Sequence, residues 1–155
     1  MDSLISLITF KIGEESYGID IMDVKTVTNN KTVIPIPNSP DFVEGIITLR
    51  GNIIPIIDLA KRFHFEPLKM DTDNEYTTGI LIIGIYDLMI GLVLDKIDKI
   101  IKIPITMFQY TSQANTLIGS EYIKCVTRYD NSFLIVLDIK KLFSKNELLQ
   151  LSGNI

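Results

Sequence analysis

Apolar residues along this chain fall in short runs rich in isoleucine, joined by valine, threonine, tyrosine and phenylalanine, with turn-forming residues between them. That spacing belongs to many short strands, because β-branched and aromatic side chains pack well on a pleated surface. It predicts strands at about Leu4–Ile12, Ser16–Ile19, Val24–Thr28, Val43–Leu49 and Asn52–Ile57. A second set is predicted at about Thr78–Tyr86, Leu88–Leu94, Ile97–Ile103, Ile123–Tyr129 and Ser132–Leu137. Helical pieces are short: Asp58–Phe63, Ile139–Phe143 and Lys145–Leu151. Asp58 and Asp138 are suited to cap the first two, since a carboxylate there accepts the orphan amide hydrogens of a first turn. The run Ile34-Pro35-Ile36-Pro37-Asn38-Ser39-Pro40 cannot be a central strand, because its prolines lack amide donors. It reads as an extended connector that displays Ile34 and Ile36 near a sheet edge.

Part of the pattern occurs twice. Ile56-Ile57-Asp58-Leu59 with Phe63 matches Val136-Leu137-Asp138-Ile139 with Phe143, 80 residues later. Tyr17-Gly18-Ile19 with Val24 and Val27 matches Ile90-Gly91-Leu92 with Ile97 and Ile100, 73 residues later. Two matches in the same order argue for two related lobes. With about five strands each, the lobes are expected to curl into small barrels that hide their edges. The expected architecture is mainly β: one domain over 1–155, made of two barrel lobes side by side with a groove between them. The first lobe is expected at about 14–68, completed by a terminal strand, and the second at about 76–143. Residues 144–155 would form a C-terminal helix or tail.

Composition narrows the function classes. Hydrophobic residues make up 46% of the 155, enough for a folded core rather than a disordered chain. Only Lys69–Thr78 reads as a polar, mobile stretch. The formal charge is −4, so nucleic acid would be repelled on average. The acid is concentrated early: Met1–Glu75 carries 7 basic and 12 acidic residues, Tyr76–Ile155 carries 8 and 7. A lone cysteine, Cys125, excludes an internal disulfide and fits a reducing compartment. No secretory signal pattern opens the chain, and no apolar run reaches the roughly 20 residues that span a bilayer. A cytoplasmic protein is expected.

Catalytic chemistry finds little to work with. His64, the only histidine, follows Phe63 at a helix end, and Cys125 sits in an apparent strand as a small core residue. Neither brings a base or nucleophile partner with it. Zinc would need several Cys or His ligands, and no phosphate-cradling glycine loop occurs. Asp71-Thr72-Asp73-Asn74-Glu75 faintly follows a calcium loop but lacks its glycine and flanking helices, so it reads as a linker. Asp95 and Asp98 read as turn formers.

The most distinctive feature is a hairpin. Ile46-Ile47-Thr48-Leu49 and Ile53-Ile54-Pro55-Ile56-Ile57 flank Arg50-Gly51-Asn52, where glycine and asparagine supply the positive φ angles of a tight turn. Pro55 confines the returning strand to an edge or a bulge. Arg50 then stands at a corner, read either as a solvated arginine at a strand end or as an oriented five-donor fork open to a partner carboxylate or carbonyl.

The order ITFKIGEESYGIDIMDVKTV, IPIPNSPDFVEGIITLRGNIIPIIDLAKRF, LIIGIYDLMIGLVLDKIDKIIKI resembles the CheW family from about Leu7 to Phe143, most specifically over Pro40–Leu59. The resemblance implies two five-stranded SH3-like barrels and a non-catalytic chemotaxis adaptor. Such an adaptor has no cofactor and links the regulatory domain of the histidine kinase CheA to the cytoplasmic tips of methyl-accepting chemotaxis receptors, within receptor arrays. On that resemblance Val24, Thr26, Arg50, Ile97 and Ile100 are receptor-facing, and Val33, Ile34, Ile36, Gly45 and Ile46 face the kinase. Many relatives carry a glutamate where this chain has Thr26, which leaves Arg50 unpaired, paired with Asp23 or Glu44, or dependent on a partner carboxylate. Within the same class, the alternative is a coupling module of a non-chemotactic sensory pathway. Outside it is a small-barrel nucleic-acid binder, against which acidic charge and the absence of Trp both weigh.

Overall fold

The computed structural model describes residues 3–12, 14–28, 32–63, 79–94, 96–110 and 120–153. Strands form at the apolar runs: β1 (Leu4–Ile12), β2 (Glu15–Asp20), β3 (Val24–Thr28), β4 (Val43–Leu49), β5 (Asn52–Asp58), β6 (Ile80–Ile85), β7 (Leu88–Val93), β8 (Lys96–Pro104), β9 (Ile123–Tyr129) and β10 (Ser132–Leu137). Helix α1 is Leu59–Arg62 and α2 is Lys145–Gly153, with a 3₁₀ turn at Ile139–Lys141. Asp58 caps α1, accepting from Ala60 N at 2.9 Å and Lys61 N at 3.3 Å. Asp138 does the same for the 3₁₀ turn, accepting from Lys140 N at 3.2 Å.

The strands form two five-stranded sheets, ordered β8-β1-β2-β10-β9 and β3-β6-β7-β5-β4. Two related lobes are therefore present, but they are not consecutive stretches of chain as expected at 14–68 and 76–143. Each repeat lends its first hairpin to the other: β1–β2 joins β8, β9 and β10, while β6–β7 joins β3, β4 and β5. The cause lies in the neighbours each strand already has. β2 is flanked by β1 and β10, so the three-residue 3₁₀ turn Ile21–Asp23 must deliver β3 into the other sheet. β7, flanked by β6 and β5, hands the chain to β8 across a link of the same order of length.

Two short parallel pairings close the exchange. β10 runs beside β2 from Leu134↔Ser16 to Val136↔Gly18, and β5 runs beside β7 from Ile56↔Gly91 to Asp58↔Val93. The repeated Tyr-Gly-Ile and Ile-Gly-Leu triplets are thus the seams of the fold.

Alternation sorts each strand's side chains between two cores. Leu7, Leu134 and Val136 fill one lobe with Ile101, Ile103 and Cys125. Ile54, Ile56, Ile80 and Ile82 fill the other with Ile47 and Val93. The intervening residues Ile8, Phe10, Tyr17, Ile57, Leu81, Ile83, Ile135 and Leu137 share a third and larger core between the sheets. Strands buried on both faces read as continuous apolar runs.

Two local expectations are corrected. β5 is not an edge strand, yet Pro55 is tolerated because pairing with β7 begins only at Ile56, so no partner there needs its missing amide. Asp98 lies within β8 rather than in a turn. It is the extra residue of a bulge, since Phe10 pairs with Ile97 and Thr9 with Lys99. His64, Asp95 and the Lys69–Thr78 stretch, with its calcium-like sequence, fall outside the described residues.

The two seam glycines are not equally replaceable. A Cβ on Gly91 would lie 2.5 Å from Ile56 Cδ1 and 2.8 Å from Ile80 Cγ2, whereas one on Gly18 would make ordinary contacts at 3.4–3.5 Å. Gly91→Ala should cost about 1–3 kcal/mol by overpacking, while Gly18→Ala should be close to neutral. Urea denaturation of both variants measures the difference, and equal effects would contradict the packing described.

Candidate functional site

The sheets end in edge strands, and bulges in two of these shape the seam. On β3 the register slips between Val24 and Thr26, so Val24 lies opposite Ile83, Thr26 opposite Ile82 and Val27 opposite Leu81. Directly paired residues share a face. Val24 and Val27 therefore face the inter-sheet side with Ile83 and Leu81, while Thr26 shares the lobe-interior side with Ile82. On β8 the bulge at Asp98 does the same, setting Ile97 opposite Phe10 and Ile100 opposite Ile8. A strand without a bulge would send residues three apart to opposite faces. Here Val24 and Val27, like Ile97 and Ile100, line the same side. Val24 and Ile97 pack against the shared core, while Val27 is 45% and Ile100 58% exposed.

Four of the five residues assigned to a receptor face thus divide clearly. Val24, Ile97 and Ile100 all face the inter-sheet side as an apolar strip, and Thr26 turns away from it. Val27 belongs to the strip although it was not among the five. Its place was visible in the repeat, as the counterpart of Ile100.

Arg50, the fifth, occupies the two-residue turn between β4 and β5. The positive φ angles fall on Arg50 (+50°) and Gly51 (+82°), while Asn52 already opens β5. Such angles suit a hairpin whose twist must match its strands, but arginine is a costly choice for the first of them. β3, β5 and β7 run in the same direction, which puts Arg50 at the end of the sheet where β3 begins. Its side chain is exposed and makes no ion pair with any described residue. Neither of the two local acids considered for it forms an ion pair with it. Glu44 takes Lys61 Nζ at 2.8 Å, which also raises the lysine's pKa through that hydrogen bond. Asp23 is pushed above the usual carboxylate range by burial and by Asp20, and feels Lys124 and Lys140 in opposition.

A second face forms where the proline-bearing connector meets β4. Ile34 N donates to Ile46 O at 2.9 Å, and Ile46 N donates to Ile34 O at 2.9 Å. This single bridge covers part of the β4 edge. Gly45 makes the approach feasible: at φ +148°, a Cβ there would sit 2.2 Å from Ile34 O and 2.7 Å from its carbon. Ile34 is 55% exposed, Ile36 and Ile46 are half-buried, and Val33 packs against the core of this lobe. All five residues assigned to a kinase face therefore lie together, but Gly45 is buried and acts by shape rather than by contact.

One arrangement was not foreseen. Arg62, at the end of α1, stands 5.1–5.7 Å from the ring centroids of Phe42, Tyr122 and Phe143. It also donates to Leu142 O and Glu147 Oε1, both at 3.0 Å. Glu147 in turn forms a capping box with Ser144 at the start of α2. The Ser144-Lys145-Asn146-Glu147 spacing was the sequence signal available. The cage fastens α2 to the inter-sheet core.

Among the described residues no group of three His, Cys, Asp or Glu side chains is placed to hold a metal. Cys125 is fully buried and its thiol is pushed up to about 11 by burial, against a small lowering from Lys124. No described helix is long and apolar enough to cross a membrane.

Comparison with known proteins follows the same lines. The CheW-like domain family matches residues 6–147. The chemotaxis protein CheW of Treponema pallidum is 46% identical over 152 residues, covering 98% of this chain and 89% of that one. The protein of that name from Klebsiella aerogenes is 30% identical, covering 90% and 81%. The crystal structure of scaffolding protein TtCheW from Thermoanaerobacter tengcongensis superposes with a TM-score of 0.82 at 31% identity, over 95% of this chain and 92% of that one.

Substitutions at two positions separate contact from shape. Arg50→Ala should leave stability within about 0.5 kcal/mol, as an exposed residue without a partner, and Arg50→Gly should raise it by up to about 1 kcal/mol by relieving the left-handed backbone. Thermal unfolding reads both, and a loss of several degrees in either would show a structural role for the guanidinium. Gly45→Ala should cost about 3 kcal/mol as the connector is driven off β4, with the Ile34 and Ile46 amides losing hydrogen-exchange protection first.

Proposed function

Because the chain belongs to the CheW family and is a chemotaxis adaptor, we propose that it couples receptor tips to the kinase CheA through the two faces described above, without catalysing a reaction. The observation that carries this reading is the bulge-built strip of Val24, Val27, Ile97 and Ile100. It crosses the seam of the two lobes and suits the apolar side of a receptor helix laid along it. Arg50, at the neighbouring end of its sheet and without an acidic partner among the described residues, is free to take a carboxylate or carbonyl from the receptor. Thr26 contributes here through the sheet beneath rather than by contact.

The connector face, with Ile34 outermost and Ile46, Ile36, Val33 and Gly45 behind it, is assigned to the CheA regulatory domain. Strand β3 of the receptor strip and strand β4 of the connector face are opposite edges of one sheet, so one adaptor can hold both partners at once. The buried, proton-retaining Cys125 thiol is a poor nucleophile at neutral pH, which supports a scaffold and not an enzyme. The expected place of work is the cytoplasm, at receptor arrays.

Calorimetry with a soluble receptor cytoplasmic fragment and with the CheA regulatory domain tests the division. Val27→Glu with Ile100→Glu should weaken receptor binding at least tenfold and leave kinase binding unchanged; Ile34→Glu should do the reverse. Arg50→Gly should abolish receptor-dependent kinase activation even though the variant is at least as stable as the parent. Loss of both partners in either strip variant, with thermal stability retained, would defeat the assignment.

A further inference from the structure

A groove of 460 Å³ opens between α2, the 3₁₀ turn before it and the β6–β7 turn. Leu88, Phe143 and Leu148 form its apolar floor. Tyr86 and Leu149 stand at its sides, 71% and 66% exposed. Its rim carries Lys140 and Lys145 against one carboxylate, Asp87.

Three residues around this groove go against local preference. Tyr86 takes φ +54° in the β6–β7 turn, where a bulky side chain is disfavoured. The turn at Asp130-Asn131, by contrast, uses residues that accept such angles readily. Lys145 sits in the first turn of α2, against the positive end of the helix dipole. Leu149 spends a large apolar side chain on solvent while the same helix buries Leu151 and half-buries Leu148. Departures from local rules concentrate where a protein does something besides fold.

The charge is specific as well. Lys141, on the same turn, pairs with Asp138 at 4.0 Å. Lys140 and Lys145 have no ion pair among the described residues, and Lys140 Nζ lies 5.7 Å from the Tyr86 ring centroid. An apolar floor under two ammonium groups that have no ion pair among the described residues complements an amphipathic segment with carboxylates beside its apolar side chains. α2 has nine residues, so the wall it provides is long enough for about two helical turns of a partner.

We propose that this groove is a third docking surface, which receives a short acidic amphipathic helix of a partner protein. Two large apolar side chains of that helix sit between Tyr86 and Leu149, and its carboxylates meet Lys140 and Lys145. The surface shares no residue with the receptor strip or the connector face.

The test uses the full chain, labelled with ¹⁵N, and two synthetic 14-residue helical peptides. Both carry leucine at i, i+3, i+4 and i+7; one has glutamate at the flanking positions and its twin has lysine there. The acidic peptide should shift the amides of Tyr86, Leu88, Leu148 and Leu149. Lys140→Glu with Lys145→Glu, and separately Leu149→Ser, should each weaken its binding at least tenfold with thermal midpoints unchanged. Equal binding of the lysine twin, or no movement of those four amides, overturns the proposal. Movement of the same amides with protein concentration alone assigns the groove to a second copy of this chain and overturns it too.

Discussion

Neither sheet can bury its own residues without the other. The central strands β1, β2, β5, β6, β7 and β10 bury apolar residues on both faces, and a five-stranded sheet closing on itself covers only one of them. The remaining face, lined by Phe10, Tyr17, Leu81, Ile83 and Ile135, needs the partner lobe as much as a single sheet needs a second layer. The shared core is the dominant constraint because it takes side chains from both repeats and both sheets at once. The exchange of hairpins ties the two sequence repeats together, since pulling one repeat from the other would require breaking the parallel pairings β2–β10 and β5–β7.

That constraint also shapes the surface. With both faces of most strands committed to cores, exposed chemistry is confined to edges, turns and the elements that cap the sheets. The β3 and β8 bulges turn edge residues three apart onto one side. The connector bridges the β4 edge at Ile34, and its counterpart in the second repeat, Gln109, bridges the β9 edge at Val126. Arg50 shows the same economy of position. The repeat-equivalent turn, 80 residues on, is Asp130-Asn131, which accepts left-handed backbone at little cost. The first lobe places an arginine there instead, exposed and unpaired among the described residues, a choice stability alone does not explain.

Charged groups near the seam have been put to structural use, which clarifies which are free. Glu44 is held by Lys61. Arg62 is enclosed by three rings and tied to Glu147, a desolvated cation whose removal would leave α2 poorly anchored. A sequence scan sees Arg50, Lys61 and Arg62 as three similar cations within thirteen residues. Only their packing distinguishes a clamp, a surface pair and an exposed fork.

Strand positions, caps and the two-fold repeat were legible in the chain, because β-branched runs, Asp58, Asp138 and the paired Tyr-Gly-Ile and Ile-Gly-Leu triplets act over a few residues. The connector face was legible for the same reason: Ile34, its prolines and Gly45 encode an extended segment pressed against a neighbouring backbone. Lobe membership was not, since the repeat marks which segments are alike and not which ones pair. A three-residue link and already occupied strand neighbours sent β3 and β8 across. The facing of Thr26 was hidden too, because a bulge inverts the alternation that any reading of a strand assumes. Thus the Gly45–Leu59 hairpin was identifiable from its residues alone. Whether Arg50 at its tip has a carboxylate partner was decided only by the tertiary fold, which gave Glu44 to Lys61 and set Asp23 among Asp20, Lys124 and Lys140.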